Sequence, residues 1–179
     1  QVSGTGYRFD ISVDGVTLQD FELEKTDTAG GQDIIWIHAN SVTVKNNTIH
    51  GQFVIGDGDV SRAMVISGGL SGLNIEGNTM YALRQPAYVT GTTTGTVQNN
   101  YTYGTKGWVL EGGDLTFTGN TWGTGANANV YDIAILATMP GIYYTDIVAM
   151  SNANNGAVIE DQRVSPAVLS VVYVDAATA

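Results

Sequence analysis

Cysteine is absent from this 179-residue chain, which excludes disulfides, thiolate chemistry and thiolate-bound zinc, and leaves the redox compartment open. Basic residues are scarce: seven Lys and Arg stand against seventeen Asp and Glu, for a net charge of −10. Such a surface repels a phosphate backbone, so nucleic acid is excluded as a partner. Long apolar runs are missing as well. The longest, such as Ile34 to Ile37 and Val171 to Val174, are strand-sized and far below the ~18 residues that cross a bilayer. No membrane insertion is expected. The start, Gln1-Val2-Ser3-Gly4, lacks the basic head and apolar centre of a secretory signal, so any such segment is expected to lie upstream or to have been removed.

What is abundant is glycine, with 23 residues, together with many Thr and Asn, in a chain only 13% charged with mean hydropathy +0.02. This composition favours an all-β, turn-rich protein with enough apolar residues for one core. One phrase recurs five times: apolar, polar, apolar, polar, a residue tolerant of positive φ, Asn, polar, apolar. The clearest copies are Val42 to Ile49 (VTVKNNTI), Leu73 to Met80 (LNIEGNTM) and Leu115 to Trp122 (LTFTGNTW), with weaker ones at Val16 to Leu23 and Gly95 to Thr102. The second apolar position, Leu18, Val44, Ile75, Val97 and Phe117, advances by 26, 31, 22 and 20 residues. Unequal steps mean that insertions leave the repeat as loops.

Each column carries a physical demand. The alternation before the turn is that of a strand with one buried face, so these five side chains are expected to stack inward at about 4.8 Å per coil. Asp20, Asn46, Gly77, Asn99 and Gly119 are the residue types that enter the left-handed region at least cost, so a bend is expected at each. The following column, Asn47, Asn78, Asn100 and Asn120, predicts a ladder of side-chain amides, with Phe21 in its place in the first coil. A second set of apolar runs, marked by Trp36, Val65, Tyr88, Val109 and Ile133, precedes each phrase, and a third strand is expected around Leu23, Ile49, Met80 and Trp122. The prediction is a solenoid of about five coils with three strands per coil.

Through these V-x-V-x-N-N-x-I and I-x-G-N-T phrases, roughly residues 10 to 150 resemble the right-handed parallel β-helix family of bacterial extracellular proteins, the architecture of pectate lyases. The resemblance implies an extracellular or cell-surface location and a fold more than an activity. Helical solenoids and sandwiches fit worse, because no 3.6-residue period persists. A short helix is expected within Tyr144 to Asn155. Coils are assigned to residues 1–160 and a linker with a C-terminal strand to 161–179, the strand covering 168–175. That strand is expected to begin a following unit or to be exchanged between copies.

Candidate sites are few, and each has a plain structural alternative. Asp57 and Asp59, in Gly56-Asp57-Gly58-Asp59, offer oxygen ligands to Ca²⁺ but lack the full EF-hand spacing, and an acidic turn explains them equally. No other cofactor is expected. For a carbohydrate-active enzyme, a lyase or hydrolase, the set to test is Asp57, Asp59, Arg62 and Arg84, none of them in a recognisable motif. Glu22 and Glu24 share a strand face at a spacing used by paired carboxylates, and an outer charged face explains them as well. His38 and His50 could be offered as metal ligands, but they are separated by a turn and have no Cys or repeated His nearby. Lys45 and Glu76 share an outward column, as do Thr17, Thr43, Asn74, Thr96 and Thr116, a file that the β-propensity of Thr accounts for. Tyr81, Tyr88, Tyr101, Tyr103 and Trp108 are candidates for stacking on sugar rings where they face solvent, with about half of them expected to fill the core instead. A regular scaffold without a convergent catalytic set favours a structural or adhesin-like module that partners copies of itself end to end and binds polysaccharide weakly; the enzyme is the alternative.

Overall fold

The computed structural model describes residues 9–26, 33–58 and 61–163, and within them the chain is a parallel β-helix. The expected C-terminal strand at 168–175 lies outside the described residues, as does Asp59. Five coils carry three strands each. They comprise β1 (Phe9–Ile11), β2 (Thr17–Gln19) and β3 (Glu22–Glu24); β4 (Asp33–Ile37), β5 (Thr43–Lys45) and β6 (Thr48–His50); β7 (Arg62–Ile66), β8 (Leu73–Glu76) and β9 (Thr79–Tyr81); β10 (Gln85–Val89), β11 (Thr94–Gln98) and β12 (Tyr101–Tyr103); and β13 (Trp108–Leu110), β14 (Asp114–Thr118) and β15 (Thr121–Trp122). A sixth coil opens with β16 (Ile133–Ile135) and a seventh with β17 (Ile159–Asp161). The first sheet therefore has seven strands, and the second and third have five each.

Every pairing is parallel, and through the five complete coils it keeps the register that the repeat demands. Leu18, Val44, Ile75, Val97 and Phe117 form one inward file across the second sheet. Ile11, Ile37, Ile66, Val89, Leu110 and Ile135 form another across the first. All eleven side chains are buried. Trp108 meets Phe117 edge-on across the core at 5.4 Å and 89°. The sequence markers slip by one residue at the end: Val109 pairs with Ala134, not Ile133, which faces Trp108. The apolar run Ile133-Ala134-Ile135 is buried throughout, so alternation gives no cue to its phase.

The turn between the second and third sheets holds the coils in line. Asp20, Asn46, Gly77, Asn99 and Gly119 all adopt φ between 54° and 65°. Beside them the Asn file is continuous and buried. Asn47 Nδ2 donates to Asn78 Oδ1 at 3.0 Å, Asn78 to Asn100 at 3.0 Å, and Asn100 to Asn120 at 3.0 Å. The second hydrogen of each amide goes to a main-chain carbonyl of the preceding coil, Leu18, Val44, Ile75 and Val97 in turn. Each Oδ1 also accepts from the backbone N–H of its predecessor in the file, beginning with Phe21 onto Asn47. No donor or acceptor of these amides is wasted, which is the condition for burying them.

The ladder has a fifth rung that the repeat does not reveal. Asn154 accepts from Asn120 Nδ2 at 2.7 Å and donates to Phe117 O at 3.0 Å. It arrives through a different route, since the sixth coil replaces its second and third strands with a loop and a helix, α1 (Ile147–Asn152). The helix is shorter than the expected span. Tyr144 and Asn155 have φ of 48° and 53°, which no helix contains, and Asp146 Oδ1 caps the start by accepting from Ala149 N. This segment closes the last coil: the Tyr144 hydroxyl accepts from Leu115 N, and Ala153 O accepts from Gly119 N. Arg163 clasps it from outside, pairing with Asp161 through two nitrogens and donating to Tyr143 O and Tyr144 O. Among the described residues, no helix is long and apolar enough to cross a membrane.

One buried side chain breaks the apolar files. Thr102 stands between Met80 and Trp122 in the third sheet, fully buried, with no hydrogen-bond partner for its hydroxyl. Two substitutions should therefore move stability in opposite directions. Asn100→Leu strands Ile75 O and the donors of Asn78 and should cost about 3 kcal/mol or more in urea unfolding. Thr102→Val removes an unpaired buried hydroxyl and should add about 1 kcal/mol. Equal effects of the two would contradict this account of the interior.

Candidate functional site

The outer face of the third sheet carries a file of aromatic rings. His50, Tyr81 and Tyr103 are outward residues at equivalent positions of β6, β9 and β12. Parallel strands in register bring such residues to the coil spacing, which is also the distance at which flat rings touch. The ring centroids lie 4.9 and 4.8 Å apart, with planes 6° and 4° from parallel. Tyr101, two residues earlier on the same face and 39% exposed, leans on Tyr103 at 5.0 Å. In the next coil the equivalent position is Gly123, so the file ends there; a Cβ at Gly123 would overlap both Tyr103 and the carbonyl of Asn127.

A loop from the second coil overhangs these rings. Phe53 is buried, whereas Val54 and Ile55 are 65% and 46% exposed. The tip closes on itself: Val54 N donates to Asp57 Oδ2 at 3.0 Å, and Asp57 N donates to Val54 O at 2.9 Å. Between loop and rings lies a shallow cleft of 260 Å³, walled by Phe53, Val54, Ile55, Tyr81, Tyr103 and Ala126. Burial, reinforced by the neighbouring phenols of Tyr81 and Tyr101, pushes the Tyr103 hydroxyl above its ordinary range. It stays protonated and able both to donate and to accept. At the far end of the file, His50 Nε2 lies 3.5 Å from Glu22 Oε1 without a hydrogen bond to it.

A second polar group sits on the first sheet. Arg62 Nε donates to Gln85 Oε1 at 2.7 Å, its Nη1 lies 3.4 Å from Asp33 Oδ1, and its guanidinium stands 5.1 Å above the Tyr88 ring. Burial raises the Asp33 carboxyl above the usual carboxylate range, against the opposing pull of Arg62 and Lys25. The Tyr88 hydroxyl is raised too, first by burial and then by its hydrogen bond with Glu111. Higher on the same sheet, Trp36 stacks on His38 at 4.3 Å, and His38 Nε2 contacts Asp10 Oδ1.

Of the residues expected to act as catalysts, Asp57 and Arg62 are engaged with different partners. Asp57 holds its own loop tip, Arg62 holds Asp33 and Gln85, and Arg84 precedes β10, where its charge acts on Tyr131. Among the described residues, no hydrogen bond or ion pair joins Asp57, Arg62 and Arg84 to one another. Nor do the described residues contain a group of three or more His, Asp or Glu placed to hold a metal ion. The four candidate tyrosines divide: Tyr81, Tyr101 and Tyr103 share one face, and Tyr88 lies under Arg62 on another sheet. Lys45 and Glu76 are register partners as expected, and Glu76 also accepts from Asn74 Nδ2.

His50 is the member of the aromatic file that sequence reasoning missed as a stacking residue. The signal was present, for His50, Tyr81 and Tyr103 each follow a ladder Asn, at 47, 78 and 100, by three residues. Comparison with protein-family models, with curated proteins and with solved structures finds no match to this chain. The structure shows the parallel β-helix itself, and no match supports the expected kinship with pectate-lyase-like bacterial proteins.

The Asp33 and Arg62 pair makes a direct test of this electrostatic picture. Arg62→Met removes the cation that opposes desolvation, so the Asp33 carboxyl should titrate at a higher pH than in the parent chain when followed by carbon NMR. Because a carboxyl with a raised folded-state pKa adds stability as pH falls toward its unfolded value, the variant should also gain more stability on mild acidification. An unchanged Asp33 midpoint would show that the ion pair does not set it.

Proposed function

We propose that this chain is an extracellular structural or adhesin-like module, of the kind found in bacterial surface proteins, that serves as a stiff solenoid and binds neutral saccharide weakly on its third sheet. The observation that carries the reading is the His50, Tyr81 and Tyr103 file beside the cleft under Val54 and Ile55. Ring edges and apolar loop side chains suit the C–H faces of a sugar, while the phenol hydroxyls recur at the coil spacing, close to the length of one pyranose unit. A shallow, open cleft favours low affinity. The net charge of −10 favours a neutral chain over a uronate polymer.

The enzyme alternative has less support. Arginine does not give up its proton under ordinary conditions, and Arg62 already spends two of its nitrogens on Gln85 and Asp33. Asp57, the acid nearest the cleft in sequence, accepts from its own loop backbone.

Titration with neutral oligosaccharides, followed by amide NMR shifts, tests the reading. Shifts confined to Val54, Ile55, Tyr81 and Tyr103 are expected, with a Kd on the order of millimolar and a several-fold loss in Tyr103→Ala. Incubation with the same sugars and with acidic polysaccharides should release no new reducing or unsaturated ends. Absence of shifts across a broad panel of neutral sugars would remove the binding role, and release of new ends would favour the enzyme.

A further inference from the structure

The two ends of the solenoid are finished differently. At the C-terminal end, Tyr144, Ala153 and Asn154 take up the edge groups of Leu115, Gly119 and Asn120. At the N-terminal end the first coil departs from the repeat. Phe21 replaces the ladder Asn and is 44% exposed, Val13 is 65% exposed, and Phe21 leans on Phe9 at 5.9 Å. A groove of 350 Å³ runs along this end, lined by Phe9, Ile11, Val13 and Val16 together with Asp10 and Ser12. Among the described residues, no strand pairs with the outer edge of β1, β2 or β3. A terminal coil with an apolar surface and free strand edges requires a cover.

Resting on the module reading above, we propose that residues 168–174 of a second copy supply that cover by adding as a strand to the first coil, so that copies join head to tail. The segment Val168-Leu169-Ser170-Val171-Val172-Tyr173-Val174 is uncharged, lacks Gly and Pro, and has five β-branched or aromatic residues in seven. It matches an apolar groove beside strand edges that no described strand pairs. The chain's own first eight residues are a poorer occupant, with Gly4 and Gly6 and only Val2 and Tyr7 to bury.

Reach excludes the same copy. The first sheet stacks seven strands from β1 to β17, a height of roughly 29 Å at the coil spacing. From Arg163, beyond β17, the five steps to Val168 span roughly 17 Å when fully extended. A strand beginning at Val168 therefore cannot lie along its own first coil.

The test uses the full 179-residue chain, whose lack of cysteine leaves introduced thiols without competitors. Differently tagged Val13→Cys and Val172→Cys copies are mixed and oxidised, and sedimentation is measured across a concentration series. A disulfide joining the two tags and association that grows with concentration are expected. Val172→Pro removes a strand N–H and should lower the association constant by about tenfold or more with unchanged circular dichroism. Val13→Lys repeats the test from the receiving end should the proline variant fold poorly. A monomer at every concentration, or association that survives both Val172→Pro and Val13→Lys, would overturn the inference. Saccharide shifts read on the same samples keep it separate from the module reading: retained sugar response without association sinks only the end-to-end contact.

Discussion

A single file of buried amides sets the register of everything else. Each ladder Asn donates twice and, from Asn78 onward, accepts twice, and its partners belong to the coils above and below. A slip of one residue in any coil would leave several of these groups unpaired in an apolar surrounding, at about 1–3 kcal/mol apiece. The apolar files supply most of the driving force, but they are tolerant of exchange among Leu, Ile, Val and Met. The amides are not. Burial therefore makes the coils condense, and hydrogen bonding decides how they align.

The outer surface inherits that alignment. Because Asn47, Asn78 and Asn100 coincide, the residues three positions later also coincide, and His50, Tyr81 and Tyr103 become a stack with planes within 6° of parallel. The same inheritance places Arg62 beside Asp33 and Gln85 on the first sheet, where strand pairing makes the three register partners. Function on such a scaffold is a matter of columns. A binding face needs no special loop geometry when a repeat already delivers side chains at fixed intervals.

Much of the architecture was legible because Asn, Gly and alternating β-branched residues leave a short, repeated signature. What escaped notice follows from where that signature lapses. Ala134 was misplaced by one because a fully buried strand carries no alternation. Asn154 stands 34 residues after Asn120, behind a helix that replaces two strands, so no repeat phrase announces it. Thr102 fills the last apolar column of its phrase, and the hydroxyl that it carries inward is buried without a partner. The tyrosines, taken together from composition, divide between two sheets because Tyr88 belongs to the strand before the turn and the other three to strands after it.

Exchange of the side-chain amide hydrogens of Asn78, Asn100 and Asn120 with solvent measures the central claim most directly. In nitrogen-resolved NMR these Nδ2 hydrogens should exchange as slowly as the main-chain amides of Val44 and Ile75, releasing only with cooperative unfolding. Rapid exchange of the three, at rates typical of exposed Asn while the strands remain protected, would show that the ladder is not what aligns the coils.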